Sequence, residues 1–453
     1  MARRRSRSPL AVHLNGRLVG HLRRLASGAI DFQYAESWLN WEHALPVSVS
    51  LPLREDRYTG DPVIAVFDNL LPDGDPIRRR LAESARAEGH DAFSLLSAVG
   101  RDCVGALQFL PQDEAPGPAG EVAGHPLSDA DIADRLRGLA NMPLGVSDDD
   151  AFRISIAGAQ EKTALLYRDG QWCIPRGSTA TTHILKPQMG ALPNGLDMRR
   201  SVENEHLCLK LTAALGLPSA NSEIIDFDGE RVLSVERFDR RWTRDGRLLR
   251  LPQEDFCQAL SVPPTLKYDA DGGPGASDIL GVLKGSDNPG IDQRTFLKAL
   301  IVFWLLGATD GHAKNFSIAL RPGARFNLAP LYDVMSLQPT VDAGQVRRRQ
   351  FKTALAMGHN HHYVIEEIRP HHFAQTAKRN GIPGATVDEI CAELTEAAEP
   401  AIEQVLASLP KDFPEPLAQS IVGGFRERIR VMERSMGSTP LLRTHLKRLT
   451  MGL

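Results

Sequence analysis

The most informative stretch of the sequence is WLLGATDGHAKNFS, residues 304–317. The apolar residues before it predict a helix over 292–308, so the carboxylate of Asp310 would emerge from a rigid support. An Asp at the start of such a loop can accept a hydrogen bond from a substrate hydroxyl and orient it. Asn315, five residues on, can fold back and offer its amide oxygen to Mg²⁺.

A second carboxylate follows in PLYD, residues 330–333. Asp333 would complete the hard oxygen ligands that Mg²⁺ requires. The D-x-x-x-x-N spacing with a later Asp is that of a protein-kinase catalytic loop, where positioning and charge neutralisation carry the reaction. The alternative is that Asp310 and Asn315 are ordinary turn residues after a buried helix.

Lys186 closes the apolar strand-like text HILK, ahead of a predicted helix over 201–215. A lysine at a strand end, with an acidic partner on the next helix, is the arrangement that holds nucleotide phosphates. Glu203 and Glu205 both remain candidates for that partner. The alternative is a surface lysine at the end of a strand.

Two further motifs carry weaker signals. The loop Ala157–Lys162 lies between strand-like segments and could place backbone N–H groups around phosphates. It lacks the second glycine of a Walker A loop and the kinase G-x-G-x-x-G pattern, so an ordinary hairpin loop is the alternative. The His-rich text at 358–362, with His371 and His372, suggests metal binding, but a polar loop is favoured.

Composition limits the class of protein. The 453 residues contain 53 Lys and Arg against 56 Asp and Glu, a net charge of −3, which excludes a stand-alone basic nucleic-acid binder. Five cysteines without a CxxC pair favour a reducing cytosol. The apolar run at 299–306 is far shorter than the roughly 20 residues that cross a bilayer. We therefore expect a cytoplasmic protein with no membrane association.

The order of elements predicts an α+β, two-lobed, protein-kinase-like fold. The predicted parts are an N-terminal α+β subdomain (1–115), a kinase N-lobe-like part with the phosphate loop and Lys186 (128–240), a helical C-lobe (241–436) and a tail (437–453). Strands are predicted around Asn15-Gly16, over 46–53, around 163–186 with a turn at Asp169-Gly170, and over 222–238 with a turn at Asp228-Gly229. Helices are predicted over 76–88, 201–215 (with Ser201 as N-cap), 253–261, 276–285, 292–308, 386–408 and 414–436.

Taken together, the motifs resemble the HipA family of serine/threonine kinase toxins from bacterial toxin–antitoxin systems. The likeness covers almost the whole chain, from about 10 to about 435. The matching segments are FDNLLPDGDPIRRR (67–80), GRDCVGAL (100–107), FRISIAGAQEKTALL (152–166), WCIPRGSTATTHILK (172–186), VERFDRRW (235–242), LRLPQEDFCQAL (249–260), KYDADGGPG (267–275) and WLLGATDGHAKNFS (304–317).

The resemblance implies an α/β N-terminal part, an all-helical C-terminal lobe, and Mg-ATP-dependent phosphorylation of serine on a protein. It implies that Asp310 is the catalytic base, that Asn315 and Asp333 bind Mg²⁺, and that Lys186 holds the α- and β-phosphates. The residues that it places at ATP are Ala157, Gly158, Ala159, Gln160, Glu161, Lys162, Lys186, Glu236, Arg237, Phe238, His312, Lys314, Asn315, Tyr332 and Asp333.

The resemblance also implies regulation and partners. Ser155 matches the serine that the family autophosphorylates, which silences the kinase. The implied substrate is an aminoacyl-tRNA synthetase, notably glutamyl-tRNA synthetase, so that translation stops and the cell becomes dormant and persistent. The implied partners are a HipB-like helix-turn-helix antitoxin dimer and operator DNA, with Lys378 and Arg379 as candidate DNA contacts. A catalytically idle co-repressor and a small-molecule kinase are the alternatives.

Overall fold

The computed structural model describes residues 8–140, 142–145, 154–158, 160–192 and 195–436. The chain forms two compact units: the first combines Met1–Met189, Ala220–Lys267 and Phe316–Ala329, and the second combines Gly190–Ser219, Tyr268–Asn315 and Pro330–Leu453. The domain limits predicted at 115, 128, 240 and 436 stay predictions. Ala159 and the predicted tail 437–453 lie outside the described residues.

The first unit begins with a five-stranded antiparallel sheet. Its strands are Leu10–Leu14, Arg17–Arg24, Ile30–Tyr34, Tyr58–Thr59 and Leu107–Pro111, in the spatial order fourth, third, second, first, fifth. The helices of this region are Glu36–Leu39, Asp61–Asp68, Asp75–Ser84 and Ala92–Val99. The predicted hairpin is confirmed, because Asn15 and Gly16 both adopt positive φ (45° and 82°), as a tight turn between twisted strands requires.

The strand predicted over 46–53 is wrong, since the third strand is Ile30–Tyr34. Backbone groups of the 46–53 segment are instead bound by side chains: the Tyr34 hydroxyl accepts from the Val47 N–H at 2.9 Å, and Glu254 Oε1 accepts from the Val49 N–H at 2.8 Å. The alternating apolar residues of 46–53 therefore belong to a buried loop, whose backbone is not hydrogen-bonded as a strand of a sheet.

A second sheet of six strands carries the candidate phosphate-binding residues. Its spatial order is Ser222–Phe227, Glu230–Glu236, His183–Pro187, Thr163–Arg168, Gln171–Pro175 and Gly124–Pro126. The helix Asp129–Arg137, with a Ser128 capping box, buries Ile132 and Leu136 in an apolar cluster with residues of the sheet. The predicted turns are confirmed, since Asp169-Gly170 and Asp228-Gly229 all have positive φ.

The first unit is completed by smaller elements. They are the hairpin Arg240–Trp242 and Leu248–Arg250, the three strands Gln253–Asp255, Ser317–Arg321 and Arg325–Leu328, the short helix Phe256–Ala259, and the 3₁₀ turns Pro143–Gly145 and Pro264–Leu266. The helix predicted over 253–261 is only partly right. Its first three residues pair as a strand with Ser317–Arg321, and Asp255 then caps the short helix through a capping box with Gln258.

The second unit is predominantly helical. Its helices are Ser201–Ala214, Ala276–Leu283, Pro289–Leu306, Gln338–Asp342, Pro370–Arg379, Gly384–Ser408 and Glu415–Met436, with 3₁₀ turns at Asp269–Asp271, Ala313–Asn315 and Arg348–Gln350. The unit also has two short hairpins, Gly190–Ala191 with Asp197–Met198 and Lys352–Met357 with His362–Val364. The second hairpin lies within 241–436, which is predicted to be helical. Ser201 is not the N-cap, because the helix is preceded by Arg200, which makes no side-chain cap hydrogen bond. None of the helices in the described ranges has the length and apolar character needed to span a bilayer.

Glu254 is a buried acid that makes the stability of the first unit depend on pH. Its side chain is 1% exposed, and burial raises its pKa to about 8, although bonds from Ser48 and Val49 oppose the shift. The folded protein keeps a proton on Glu254 that the unfolded chain releases above about pH 4.5. The stability that this proton contributes is therefore present at low pH and is lost as pH rises toward 8.

We expect Glu254→Gln to stabilise the protein increasingly between pH 5 and 8, since the amide stays neutral. The gain should approach about 1.4 kcal/mol per pH unit at most. Thermal unfolding of wild type, Glu254→Gln and the exposed control Glu36→Gln would measure it. A difference between Glu254→Gln and wild type that stays constant over this pH range would contradict the assignment.

Candidate active site

The loop after the helix Pro289–Leu306 has the internal geometry that its spacing predicts. Gly307 ends the helix in the left-handed region, with φ 66°. The Asn315 amide then donates from Nδ2 to the Asp310 carbonyl at 2.7 Å, so that the side chain folds back over the loop. Backbone bonds from His312 N–H to Asp310 O and from Asn315 N–H to His312 O, both 2.9 Å, tighten the same turn.

The Asp310 carboxylate is exposed and oriented. Its side chain is 56% exposed, whereas His312 beside it is buried, with Nε2 3.8 Å from Asp310 Oδ1. The Tyr268 hydroxyl donates to the same Oδ1 at 2.7 Å, and the Tyr268 ring lies edge-on to His312 with centroids 4.9 Å apart. A carboxylate held this way can reach a hydroxyl group that arrives from solvent.

Asp333 belongs to a segment that is tied to the same loop. The Tyr332 hydroxyl donates to the Lys314 carbonyl at 2.8 Å. Leu331 pairs in parallel with Ser219 on one side of Asp333, and Ser336 pairs with Ala308 on the other. Asp333 itself has φ 58°, a left-handed conformation that Asp tolerates better than most residues.

The donor atoms in this part of the second unit fit Mg²⁺ chemically. Asn315 offers an amide oxygen and Asp333 a carboxylate, which are the hard oxygen ligands this ion prefers. The described residues contain no group of three or more His, Cys, Asp or Glu arranged for a metal. Mg²⁺ is commonly held by one or two protein ligands together with substrate phosphates, so two oxygen donors would suffice.

In the first unit, the Ala157–Lys162 loop begins in a seat formed by residues 70–73 and 102. Ser155 is fully buried: its N–H donates to the Asp102 carbonyl at 2.9 Å and its hydroxyl donates to the Leu70 carbonyl at 2.7 Å. Gly158 pairs with Pro72, and the Asp73 N–H donates to the Gly158 carbonyl at 3.0 Å. The loop therefore docks through its backbone, the Ser155 hydroxyl and the buried side chains of Ile154 and Ile156.

A buried charge network supports this seat. Arg240 and Arg250 both reach Asp102 Oδ1 at 2.9 Å, Arg237 lies 3.3 Å from Oδ2, and Arg237 also binds Asp239. Burial alone would raise the pKa of Asp102, but the three arginines outweigh it and hold the pKa well below its usual range. The sequence motifs GRDC, VERFDRRW and LRLPQEDFCQAL contain this network, but no spacing rule predicts it.

Two ion pairs hold the rest of the seat. Lys267 Nζ lies 2.7 Å from Asp73 Oδ2. The Arg78 guanidinium donates to the Pro72 carbonyl at 2.8 Å and pairs with Asp68 at 2.6 Å. The motifs FDNLLPDGDPIRRR and KYDADGGPG contain these residues, but their spacing alone predicts no ion pair.

The other predicted nucleotide residues of the first unit occupy varied environments. Lys162 Nζ donates to the Ala157 carbonyl at 2.7 Å, and Gln160 Nε2 donates to the Pro187 carbonyl at 3.3 Å. Lys186 is buried in the strand His183–Pro187, and Glu161 is exposed. Glu203 and Glu205 are both buried in the second unit, so the choice between them stays open.

The segment Glu236–Phe238, which the resemblance places at ATP, begins with the last residue of the strand Glu230–Glu236. The Glu236 N–H donates to Asn221 O at 3.0 Å and the Arg237 N–H to Thr182 O at 2.8 Å. Arg237 keeps its side chain inside the charge network, whereas Phe238 is partly exposed.

The His-rich stretch forms the turn of the hairpin Lys352–Met357 and His362–Val364. His362 stacks on His372 with ring centroids 3.9 Å apart. Burial, together with the neighbouring His371 and His362, lowers the pKa of His372 to about 4. Lys378 and Arg379 lie at the end of the helix Pro370–Arg379, where both are exposed, and Arg379 Nη2 reaches the carbonyl of Gly358 at 3.3 Å.

Comparisons with known proteins define the class. The HipA-like C-terminal domain matches residues 154–402, and the HipA N-terminal domain matches residues 10–110. A protein of Sinorhizobium fredii named "Putative kinase Y4mE" is 35% identical over 88% of this chain and 91% of its own length. The chain therefore belongs to the HipA family of serine/threonine kinase toxins.

Two further similarities agree with that membership. The "Serine/threonine-protein kinase toxin HipA" of Shewanella oneidensis is 26% identical over 88% of this chain and 90% of its own length. A solved structure of the Shewanella oneidensis MR-1 toxin–antitoxin complex of HipA, HipB and its operator DNA has a TM-score of 0.76 at 24% identity. The match covers 94% of this chain and 97% of the solved one, which confirms the kinase-like α+β fold.

Gly158 provides a test of the predicted phosphate loop. Its φ is +108°, and an added Cβ would lie 2.6 Å from Lys162 Nζ. We expect Gly158→Ala to disturb the loop and the Lys162 ammonium, and so to weaken binding of a Mg²⁺–ATP analogue by about tenfold or more. Isothermal titration calorimetry would measure this.

The matched control is Gly177→Ala. Gly177 also has positive φ, +59°, but no atom lies within 4 Å of an added Cβ. If the two variants bind the analogue equally well, the loop does not contact nucleotide.

Proposed function

We propose that this chain is a Mg-ATP-dependent serine/threonine protein kinase that acts as the toxin of a type II toxin–antitoxin system. The observation that carries the proposal is the oriented loop Asp310–Asn315. Its Asn side chain folds back on the Asp310 carbonyl, and the segment bearing Asp333 is tied to it through Tyr332. Membership of the HipA family supports the same conclusion.

In this proposal each group has one task. Asp310 orients the substrate hydroxyl and accepts its proton as the oxygen attacks phosphorus. Asn315 and Asp333 would hold Mg²⁺, which supplies charge neutralisation at the phosphates when it is bound. Lys186 and the loop Ala157–Lys162 would bind phosphates, and the backbone of Glu236–Phe238 would face adenine. His312 and Lys314 would lie beside the phosphates.

We further propose that the substrate is an aminoacyl-tRNA synthetase, with glutamyl-tRNA synthetase as the first candidate. Phosphorylation would leave tRNA uncharged, inhibit translation and promote dormancy. Family membership supports this step, and the acceptor itself is the subject of the test. Incubation of the purified protein and Mg-ATP with a panel of synthetases, followed by phosphopeptide mass spectrometry, would identify it. Transfer to a metabolite and to no synthetase would favour a small-molecule kinase.

We expect Asp310→Ala to lower phosphate transfer by roughly 10³-fold, because the variant cannot orient or deprotonate the hydroxyl. Mass spectrometry of phosphate on Ser155 after incubation with Mg-ATP would measure this. The control is Glu403→Ala, an exposed acid on the helix Gly384–Ser408. If Asp310→Ala and wild type are both labelled to the same extent, Asp310 is not the base. If neither protein is labelled, an idle co-repressor is favoured.

Autophosphorylation of Ser155 is proposed to inactivate the enzyme by unseating its loop. The Ser155 hydroxyl is buried and donates to the Leu70 carbonyl, while its N–H lies against Asp102. A phosphate would replace that donor by acceptor oxygens and add about −1.5 to −2 charges beside a carbonyl. The seat cannot hold such a group, so the segment 154–158 must leave it.

Hydrogen exchange tests this proposal. We expect the amides of Ser155 and Asp73, which are bonded to Asp102 and Gly158 in the seated loop, to exchange at least tenfold faster when Ser155 is phosphorylated. Ser155→Ala is the matched control, because it loses one hydrogen bond without adding charge or bulk. Equal protection in the phosphorylated protein and in Ser155→Ala would refute the unseating.

The partners are proposed to be a HipB-like helix-turn-helix antitoxin dimer and operator DNA. The similar Shewanella oneidensis structure is a complex of HipA with HipB and operator DNA, which supports both partners. The exposed Lys378 and Arg379 provide candidate phosphate contacts, and the net charge of −3 favours DNA binding that is shared with a basic partner. Five buried free cysteines agree with the proposed cytoplasmic location.

A further inference from the structure

We propose that Tyr268 is a positioning residue that holds the carboxylate of Asp310 in its working orientation. The inference rests on the proposed function, because it concerns the base of that reaction. The Tyr268 hydroxyl donates to Asp310 Oδ1 at 2.7 Å. The same ring packs edge-on against His312, with centroids 4.9 Å apart and an interplanar angle of 81°.

Tyr268 is itself held by a rigid turn. Its carbonyl accepts from the Asp271 N–H at 3.1 Å and from the Gly273 N–H at 2.9 Å. The next residue, Asp269, accepts from the Ala356 N–H at 2.8 Å. The turn that presents the hydroxyl is therefore anchored to the hairpin Lys352–Met357 and His362–Val364.

The contact orients Asp310 and leaves room for a substrate. Tyr268 and His312 both lie next to Oδ1 of Asp310, while Oδ2 receives no hydrogen bond from any residue that the structure describes. The side chain is 56% exposed, so a substrate hydroxyl can approach Oδ2. A carboxylate has enough lone pairs to accept hydrogen bonds from the Tyr268 hydroxyl and from a substrate hydroxyl at the same time. Tyr268 keeps its proton, and the proton of the substrate hydroxyl goes to Asp310.

A fixed orientation of the Asp310 carboxylate should raise the rate of phosphate transfer more than it raises the affinity for ATP. A hydrogen bond to a charged group is stronger than a neutral one, and it removes the rotations that would turn an exposed Asp away from the hydroxyl. Loss of the hydroxyl alone should therefore lower the rate of phosphate transfer and leave the affinity for ATP unchanged, since the ring stays packed against His312.

The test uses Tyr268→Phe, which keeps the ring against His312 and removes only the hydroxyl. The readout is the initial rate of phosphate incorporation from labelled Mg-ATP into the chain itself, measured over a range of ATP concentrations. We expect kcat to fall about tenfold or more with KM for ATP unchanged. Tyr268→Leu, which also removes the ring, should lose at least as much activity.

Three controls make the result decisive. Tyr167→Phe removes the hydroxyl of an exposed tyrosine in the first unit and should match wild type. Asp269→Ala keeps the Tyr268 hydroxyl but loosens the turn that presents it, so this variant should also have a lower kcat. Thermal unfolding of each variant checks that the fold is kept, and Asp269→Ala tests the idea independently of Tyr268 substitutions.

The outcomes separate the inference from the proposed function. If Asp310→Asn is inactive but Tyr268→Phe labels as fast as wild type or faster, Tyr268 does not position the base and the inference alone fails. A raised KM for ATP with unchanged kcat in Tyr268→Phe would also overturn it. If Asp310→Asn labels normally, the proposed function fails and the inference with it.

Discussion

The termination of the helix Pro289–Leu306 is the constraint on which the second unit depends. The last carbonyls of a helix have no partner within it, and a buried helix must find them elsewhere. Here the Arg428 guanidinium donates to Leu305 O at 2.9 Å, and the Ser336 hydroxyl donates to Leu306 O at 2.6 Å. Ser336 in turn is fixed by reciprocal hydrogen bonds with Asn204, at 2.8 Å each. The direction in which the chain leaves the helix, and hence the place of Asp310, is therefore set by buried polar groups.

The same groups place Asp333. Ser336 pairs with Ala308 just before the Asp310 loop, and it follows Asp333 by three residues. A polar cluster that caps one helix thus also fixes the spacing between the candidate base and the second candidate metal ligand. Removing one member would leave a buried donor or acceptor unsatisfied, which typically costs about 1–3 kcal/mol. The geometry of the site and the stability of the unit depend on the same bonds.

The features predicted correctly from the sequence are those with local rules. Helix periodicity, the Asn15-Gly16 and Asp228-Gly229 turns, and the fold-back of Asn315 on Asp310 all depend on neighbours in the chain. The predictions that are wrong concern segments whose structure depends on residues far away in the sequence. The 46–53 segment is a loop because Tyr34 and Glu254 bind its backbone, and 253–255 is a strand because Ser317–Arg321 pairs with it. The contact of Tyr268 with Asp310 spans 42 residues, and no spacing rule could predict it.

The loop of the first unit and its seat are held by different kinds of interaction. Segment 154–158 is attached by hydrogen bonds of roughly 1 kcal/mol each and by the buried side chains of Ile154 and Ile156. Its seat rests on Asp102, which is buried with three arginines, and breaking a buried ion pair by removing one partner costs about 3–5 kcal/mol. These ion pairs join Asp102 to Arg237, Arg240 and Arg250, none of which lies in the loop. The proposed modification of Ser155 would therefore act on the attachment of the loop and leave the ion pairs of the seat in place.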